Sequence, residues 1–543
     1  MSLFLSLMLA LFVTMALIPA LVRISPWLGT IDTPDPRKVH AVPISRAGGI
    51  GIVIGTLTPV MVFLGVDTLV QSYVLGGLLL MVFGAWDDSR ELGHYPKFAG
   101  QFLAVGAVVF YGDLWVSQLP FGLPDLPPWL GQPFTMIAMV GVVNALNHSD
   151  GLDGLAAGET LLSLAVMGYL SYLANGFDAL LIAIATTGGL LGFLRFNSHP
   201  ARVFMDDSGS QFLGFTVAFI GVLLTQQLNP ALSMALPLLL FGVPVIDILA
   251  VFWLRKRHGL NLFRATRNHL HHRLLDLGFT HFEVVVVLYT AHTLFVVSAL
   301  ILRYESDWLV LLAHLWFTGL LFAGITLAER HGWRAGELRD TSPVFAGIVK
   351  LEKARWVRQA PPRVLYVGFA VFLVTMVATA PALSSDLGVA ALVAAVAGLV
   401  MFAFGSSEMV SMMLRLLAYF SGTYAAYLSV YAPPAWLVAH PTPDMLFFGI
   451  MFAAVAASLR FAQNDHISVT PFDYLMLFVF LAMAVASAQI DQFSGLSLLL
   501  GKCIVLLYAA ELIASYERRR WSPLGLVCIY ALGTAAARAF GSL

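Results

Sequence analysis

Asn144, Asn147, Asp150 and Asp153 recur at three-residue intervals in GVVNALNHSDGLDGLAAG, residues 141–158, between apolar runs long enough to lie in a bilayer. Carboxylates and carboxamides at membrane depth are tolerated where they face a cavity, a partner or an ion, so this stretch marks a functional site. In an ideal helix each three-residue step drifts by about 60°, and the four residues would spread over half the circumference. Gly151 and Gly154 are the expected interruption. A broken helix lining a wet cavity turns amide and acid groups inward together and frees backbone groups for a ligand.

Three further polar clusters carry chemical potential. Asp87 and Asp88, followed by Lys97, stand in WDDSRELGHYPK. Adjacent carboxylates favour a divalent cation or a shared proton, and a nearby Lys holds phosphate as a point charge; a solvated loop accounts for an isolated Asp-Asp equally well. In RVFMDDSGSQFLGF, Asp206 and Asp207 precede Ser208-Gly209-Ser210 at an expected helix start. Free N–H groups there suit an anion, and a carboxylate beside them suits a cation bridging to phosphate. An ordinary N-cap explains one Asp and one Ser, but not Phe204, an aromatic in a wet loop able to stack on a base. In RNHLHHR, His269, His271 and His272 lack a standard zinc spacing and an accompanying Cys, which favours contact with a polyphosphate. Arg273 divides evenly between that role and a positive membrane anchor. Asp247, eight residues before Arg255, lies about 12 Å inside the bilayer and requires an Arg partner or a place in the site.

The elements that must position these groups are membrane helices. Of the 543 residues 59% are hydrophobic and only 11% charged, against about 25% charged in soluble domains. A net charge of -1 excludes a nucleic-acid partner. Cys503 and Cys528 lie in apolar segments far from any His cluster, so neither a disulfide framework nor a zinc site is expected. The run 1–21 lacks a basic leader and a cleavage site and reads as a retained helix. Apolar runs predict an all-α, polytopic helical bundle, with about eleven spans in residues 1–330, among them 98–112 and 233–254. A cytoplasmic connector follows at 331–362, then about seven spans in 363–543, including 472–488. Loops bearing Arg23, Arg37, Lys38 and Arg46, then Arg90 and Lys97, then Arg195 and Arg202, then Arg255 to Arg273 alternate with loops nearly free of Lys and Arg. These loops are therefore assigned to the cytoplasm, where every chemical cluster also falls.

Together the segments DTPDPRKVHAVPISRAGG, WDDSRELGHYPK, NALNHSDGLDGLAAG, RVFMDDSGSQFLGF, PVID and HLHHRLLDLGF resemble, in order, the polyprenyl-phosphate N-acetylhexosamine-1-phosphate transferases over about residues 1–330. The His-x-His-His form is similar to the branch that transfers simple N-acetylhexosamine phosphates. The resemblance implies a bacterial inner-membrane enzyme with a cytoplasmic active site. It would join a UDP-N-acetylhexosamine to a polyprenyl phosphate, releasing UMP, as the first membrane step of cell-surface glycan synthesis. It implies Mg2+, with Mn2+ as the alternative, held by Asp207 and Asn147. Lys97 would hold a phosphate, and Asp87 and Asp88 would orient or deprotonate the acceptor. Phe204, Gly151 and Asp153 match the uracil pocket, supported by Asn144 and Asp150. His269, His271, His272 and Arg273 would reach the pyrophosphate or sugar, and Arg37, Lys38, His40 and Arg46 would complete a cover. The family commonly has Met-Gly-Asp where this chain has Met205-Asp206-Asp207, so Asp207 is the metal-position match and Asp206 an added charge.

The rival from another class is a transporter, for which broken helices and a buried Asp247 would also serve. Its usual mid-membrane charge pairs and repeated halves are missing from the pattern, since NHSDGLDG does not recur. The helices of 363–543 carry few polar groups and read as an accessory module, suited to docking a second copy or a downstream glycosyltransferase.

Overall fold

The computed structural model describes residues 2–33, 42–65, 67–90, 92–259, 268–335, 355–381, 383–440, 442–461, 494–516 and 521–541. The chain divides into two compact units, with Met1–Asp340 in the first and Thr341–Val469 and Ala486–Leu543 in the second. Among the described residues eleven helices are long and apolar enough to cross a membrane, and the protein is a multi-pass membrane protein. The bilayer leaves the backbone no alternative to helix, because it offers no water to satisfy N–H and C=O groups.

In the first unit the helices run α1 (Ser2–Leu28), α2 (Gly48–Phe63), α3 (Thr68–Arg90), α4 (His94–Gly106), α5 (Pro128–Ser149), α6 (Leu155–Leu173) and α7 (Phe177–Asn197). They continue as α8 (Asp206–Leu223), α9 (Pro237–Leu240), α10 (Gly242–Arg257), α11 (Leu270–Asp276), α12 (His281–Ile301) and α13 (Asp307–Arg330). The expected span 98–112 is α4 continued by a π-helical turn, Ala107–Tyr111. The expected span 233–254 is corrected: α9 stops after one turn, Phe241 takes a non-helical conformation, and α10 starts afresh at Gly242. Pro237 and Pro244 each withhold an N–H from the helical ladder around this break.

α8 is the helix the unit is built around, nearly wholly buried, whereas α13 lies largely exposed at the periphery. Two glycines let neighbours reach its backbone. A Cβ on Gly84 of α3 would stand 2.4 Å from Ser208 Cα, and one on Gly214 would stand 2.6 Å from Val143 Cα of α5. The strand pair β1 (Ile31–Asp32) and β2 (Ile44–Ser45) is antiparallel, and Ser45 bridges to Val203 just before α8.

The second unit holds the long helices Arg355–Thr379, Ser385–Phe404, Ser407–Tyr431, Thr442–Phe461, Ser494–Tyr516 and Pro523–Phe540. Among its described residues the buried Lys502 pairs through Nζ with Asp444 Oδ2 at 2.7 Å, and the half-buried Arg415 through Nε with Glu511 Oε2 at 3.2 Å. The expected span 472–488 and most of the connector lie outside the described residues.

Candidate active site

The tandem acids at the end of α3 separate. Asp88 is buried, and its Oδ1 and Oδ2 accept the main-chain N–H groups of Asp207 at 3.0 Å and Ser208 at 3.2 Å. It thus accepts two of the N–H groups that the first turn of α8 leaves without a helical partner. Asp87 turns instead toward Lys97, whose Nζ is 3.5 Å from Asp87 Oδ2 and 2.5 Å from Asp207 Oδ2. The Asp87 and Asp207 carboxylates themselves lie within hydrogen-bonding range.

Asn147 comes from α5 to the same point, and its Nδ2 donates to Asp207 Oδ1 at 2.5 Å and to Ser210 Oγ at 2.7 Å. Asn147 therefore fixes the Asp207 carboxylate through its amide nitrogen. The carboxylates that gather here are Asp87 and Asp207. Two carboxylates face one ammonium here, and Asp87 Oδ1 is buried without a hydrogen-bond partner. An oxygen-rich, net negative pair of this kind fits a hard divalent cation.

Asp206 adopts φ of +51°, the left-handed region in which glycine is at ease and other residues are strained. Its Oδ2 lies 3.1 Å from Arg46 Nε, and Arg46 also pairs with Asp32. Burial opposes the Arg46 charge, yet Asp206 and Asp32 outweigh it and hold the guanidinium above its ordinary value. Asp150 follows α5, where burial, and then the charges of Asp206, Asp207 and Asp153, push its carboxyl well above the usual range. It is thereby held toward its protonated form.

The histidines of α11 are positioned by Asp247, whose Oδ2 meets His269 Nδ1 at 2.8 Å while its Oδ1 accepts Leu270 N–H at 2.7 Å. Of the two expectations for Asp247, an Arg partner or a place in the site, these bonds tie it to the histidine cluster through His269 and the start of α11. His269 stacks with His148 and with His271, each pair of ring centroids 5.6 Å apart. His271 is pressed against Gly151, where a Cβ would meet its Nε2 at 2.4 Å. Burial, then His272 beside it, lower the His271 pKa to about 3, so the ring is neutral. His272 packs on His271 at 4.2 Å between ring centroids.

Several predicted residues are placed elsewhere. Arg273 forms a two-pronged pair with Glu329 of α13, at 2.8 and 2.7 Å, which joins α11 to α13. Asn144 donates to Gln101 Oε1 at 2.7 Å, and Gln101 in turn donates to Gln211 at 3.1 Å. This amide relay joins α4, α5 and α8 through Asn144. Phe204 is knitted through its main chain to Ser45 O and Gly48 N, at 2.8 and 3.0 Å, which fixes the loop before α8. Asp153 Oδ2 meets His199 Nδ1 at 2.7 Å and Ala201 N at 3.1 Å. Arg37, Lys38 and His40 lie outside the described residues.

Gln101, Gln211, Asn197, His199 and His281 escaped the sequence reading. Asn197 accepts from Gly154 N and donates to Val203 O, both at 2.8 Å, and so ties the α5–α6 turn to the α7–α8 loop. Gln101 and Gln211 carried a signal, being amides within apolar runs. His199 and His281 carried none, for neither stands in a polar motif.

Carboxylates, a lysine and imidazoles gathered at the broken ends of membrane helices define a multi-pass membrane enzyme suited to phosphate chemistry. Residues 70–225 match the family model described as glycosyl transferase family 4. The chain is 30% identical over 308 residues to the probable undecaprenyl-phosphate N-acetylglucosaminyl 1-phosphate transferase of Bacillus subtilis strain 168, covering 56% of this chain and 85% of that protein. It is 32% identical over 297 residues to the decaprenyl-phosphate N-acetylglucosaminephosphotransferase of Mycobacterium tuberculosis H37Rv, covering 48% and 73%. It is 28% identical over 308 residues to the undecaprenyl-phosphate alpha-N-acetylglucosaminyl 1-phosphate transferase of Escherichia coli K12, covering 54% and 83%. The chain belongs to this family of polyprenyl-phosphate N-acetylhexosamine-1-phosphate transferases.

Proposed function

We propose that the first unit transfers N-acetylhexosamine-1-phosphate from a UDP-sugar to a polyprenyl phosphate, on the cytoplasmic face of a bacterial inner membrane. A phosphate oxygen of the lipid attacks the β-phosphorus, the bond to the α-phosphate oxygen breaks, and UMP leaves. The observation that carries the reading is the meeting of Asp87, Lys97, Asn147 and Asp207 from four different helices at the start of α8.

Mg2+, with Mn2+ as the alternative, is the cation this reading places with Asp87 and Asp207, where it would screen the pyrophosphate from an anionic attacker. Asn147 and Lys97 hold the Asp207 carboxylate in one orientation. Lys97 also offers a point charge to an arriving phosphate. A phosphate monoester with a second pKa near 6 is about nine-tenths dianionic at pH 7, so no strong base is needed. Asp88, committed to α8, positions Asp207 and removes no proton. His271, neutral, can donate one ring N–H to a phosphate oxygen without adding charge. Gly151, Asp153 and Phe204 border the nucleotide end.

The test is purified protein with radiolabelled UDP-GlcNAc, Mg2+ and a short polyprenyl phosphate. The expected product is a butanol-extractable lipid-linked sugar, identified by mass spectrometry across a panel of UDP-hexosamines. Asp207→Ala should lower the rate by about 10²–10³-fold, the scale of losing one electrostatic contact to a transition state. A wild-type rate in that variant removes the assignment of Asp207, and solute uptake into vesicles without lipid product favours a transporter.

A further inference from the structure

We propose that Asp153, His199 and His281 form a binding site for a borderline divalent cation of the Zn2+ class, separate from the Asp87 and Asp207 pair. The three residues come from three connections distant in sequence. Asp153 lies in the α5–α6 turn, His199 in the α7–α8 loop, and His281 opens α12. One ligand atom from each lies within 4.8 Å of the others. Ligand atoms about 2.0–2.1 Å from a tetrahedral zinc stand about 3.3 Å apart, so the set must draw in by up to about 1.5 Å to hold the ion.

Each member is held in place. Thr280 caps α12 in a reciprocal capping box with Glu283, which fixes the position of His281 as the first helical residue. Asp153 Oδ2 is oriented by His199 Nδ1 and by Ala201 N–H. The rings of His199 and His281 stack at 4.1 Å between centroids, inclined by 20°. Both ring nitrogens of His281 are buried and neither makes a well-formed hydrogen bond, although the Asp153 main chain is nearby. Buried polar atoms of this kind are normally satisfied, and a metal is one way to satisfy them.

The donor chemistry selects the ion. Mg2+ and Ca2+ prefer all-oxygen sets, whereas imidazole suits zinc and its neighbours in the transition series. Three protein ligands leave a fourth position for water or a ligand atom. A metal here would staple the α5–α6 turn, the α7–α8 loop and the start of α12 to one another. Those connections carry Gly151, Asp153 and Phe204, so the site would stiffen the frame of the proposed nucleotide pocket.

The experiment measures metal content and does not depend on the transferase reaction. Full-length protein purified without a polyhistidine tag is equilibrated with ZnCl2 against a chromophoric chelator, then analysed by elemental mass spectrometry. The wild type and Asp207→Ala should each retain one equivalent of zinc, with a thermal midpoint raised by the metal. His199→Gln and His281→Gln should bind at least about tenfold more weakly, the usual scale of disturbing a metal site. The His199 side chain is 40% exposed, so His199→Gln should fold normally and carries the test if His281→Gln does not. No zinc retained by the wild type, or equal retention in His199→Gln, overturns the proposal. So does loss of zinc in His271→Gln alone, which would assign the metal to α11.

Discussion

Asp88 caps α8, its Oδ1 accepting the Asp207 main-chain N–H at 3.0 Å. Asp87, one residue earlier, reaches Lys97. Successive residues of a helix point about 100° apart, so a tandem that reads as one motif serves two purposes. One carboxylate sets the start of α8, and the other faces Lys97.

Replacing each acid by its amide should separate these purposes. Asp88→Asn turns an acceptor into a group that also presents N–H to two N–H donors. A loss of about 1–3 kcal/mol, the cost of leaving a buried donor unsatisfied, is expected as a lower thermal midpoint in detergent. Asp87→Asn should leave the midpoint nearly unchanged and raise the Mg2+ concentration needed for half-maximal turnover. The opposite pattern would exchange the two assignments.

Asp206 occupies a left-handed backbone position that burdens a residue with a Cβ by about 1–2 kcal/mol. Asp206→Gly removes that strain together with the Arg46 pair, whereas Asp206→Ala loses the pair and keeps the strain. The glycine variant should therefore melt above the alanine variant. Equal midpoints by differential scanning fluorimetry would show that the backbone at 206 is unstrained.

Gly151→Ala drives a methyl to 2.4 Å from His271 Nε2, an overpacking expected to lower stability by about 1–3 kcal/mol. His271→Ala opens space for it. In the double variant the effect of Gly151→Ala should shrink markedly, since residues in direct contact couple. Simple additivity in a double-mutant cycle would refute the contact.

The neutral His271 also makes a prediction about pH. Its pKa is lowered from 6.5 to about 3 in the folded protein, so between these values the unfolded chain binds a proton that the folded chain refuses. Stability from this group is complete above pH 6.5 and declines as pH falls toward 3, by at most about 1.4 kcal/mol per unit. Asp150, raised by burial, acts in the opposite sense, contributing stability that is lost as pH rises. The decisive quantity is the difference between wild type and His271→Gln, whose midpoint should fall less from pH 7 to pH 5. Parallel curves would show that His271 titrates normally.

The sequence by itself determined the membrane class and most helical spans, because an apolar run in lipid has no conformation but helix in which to satisfy its backbone. It also determined where the polar groups would collect, since charged and amide residues among apolar ones are expensive unless they serve a site. It did not determine their division of labour. Asn144 and Asn147 differ by three residues, and that rotation sends one to Gln101 and the other to Asp207. The break at Phe241 lay hidden in an apolar run, where hydropathy cannot distinguish one helix from two. Nor did any local pattern announce that Asp153, His199 and His281 meet. Such meetings are set by how helices pack, through close approaches such as Gly84 against Ser208, and packing is a property of the assembled unit that no single stretch of chain contains.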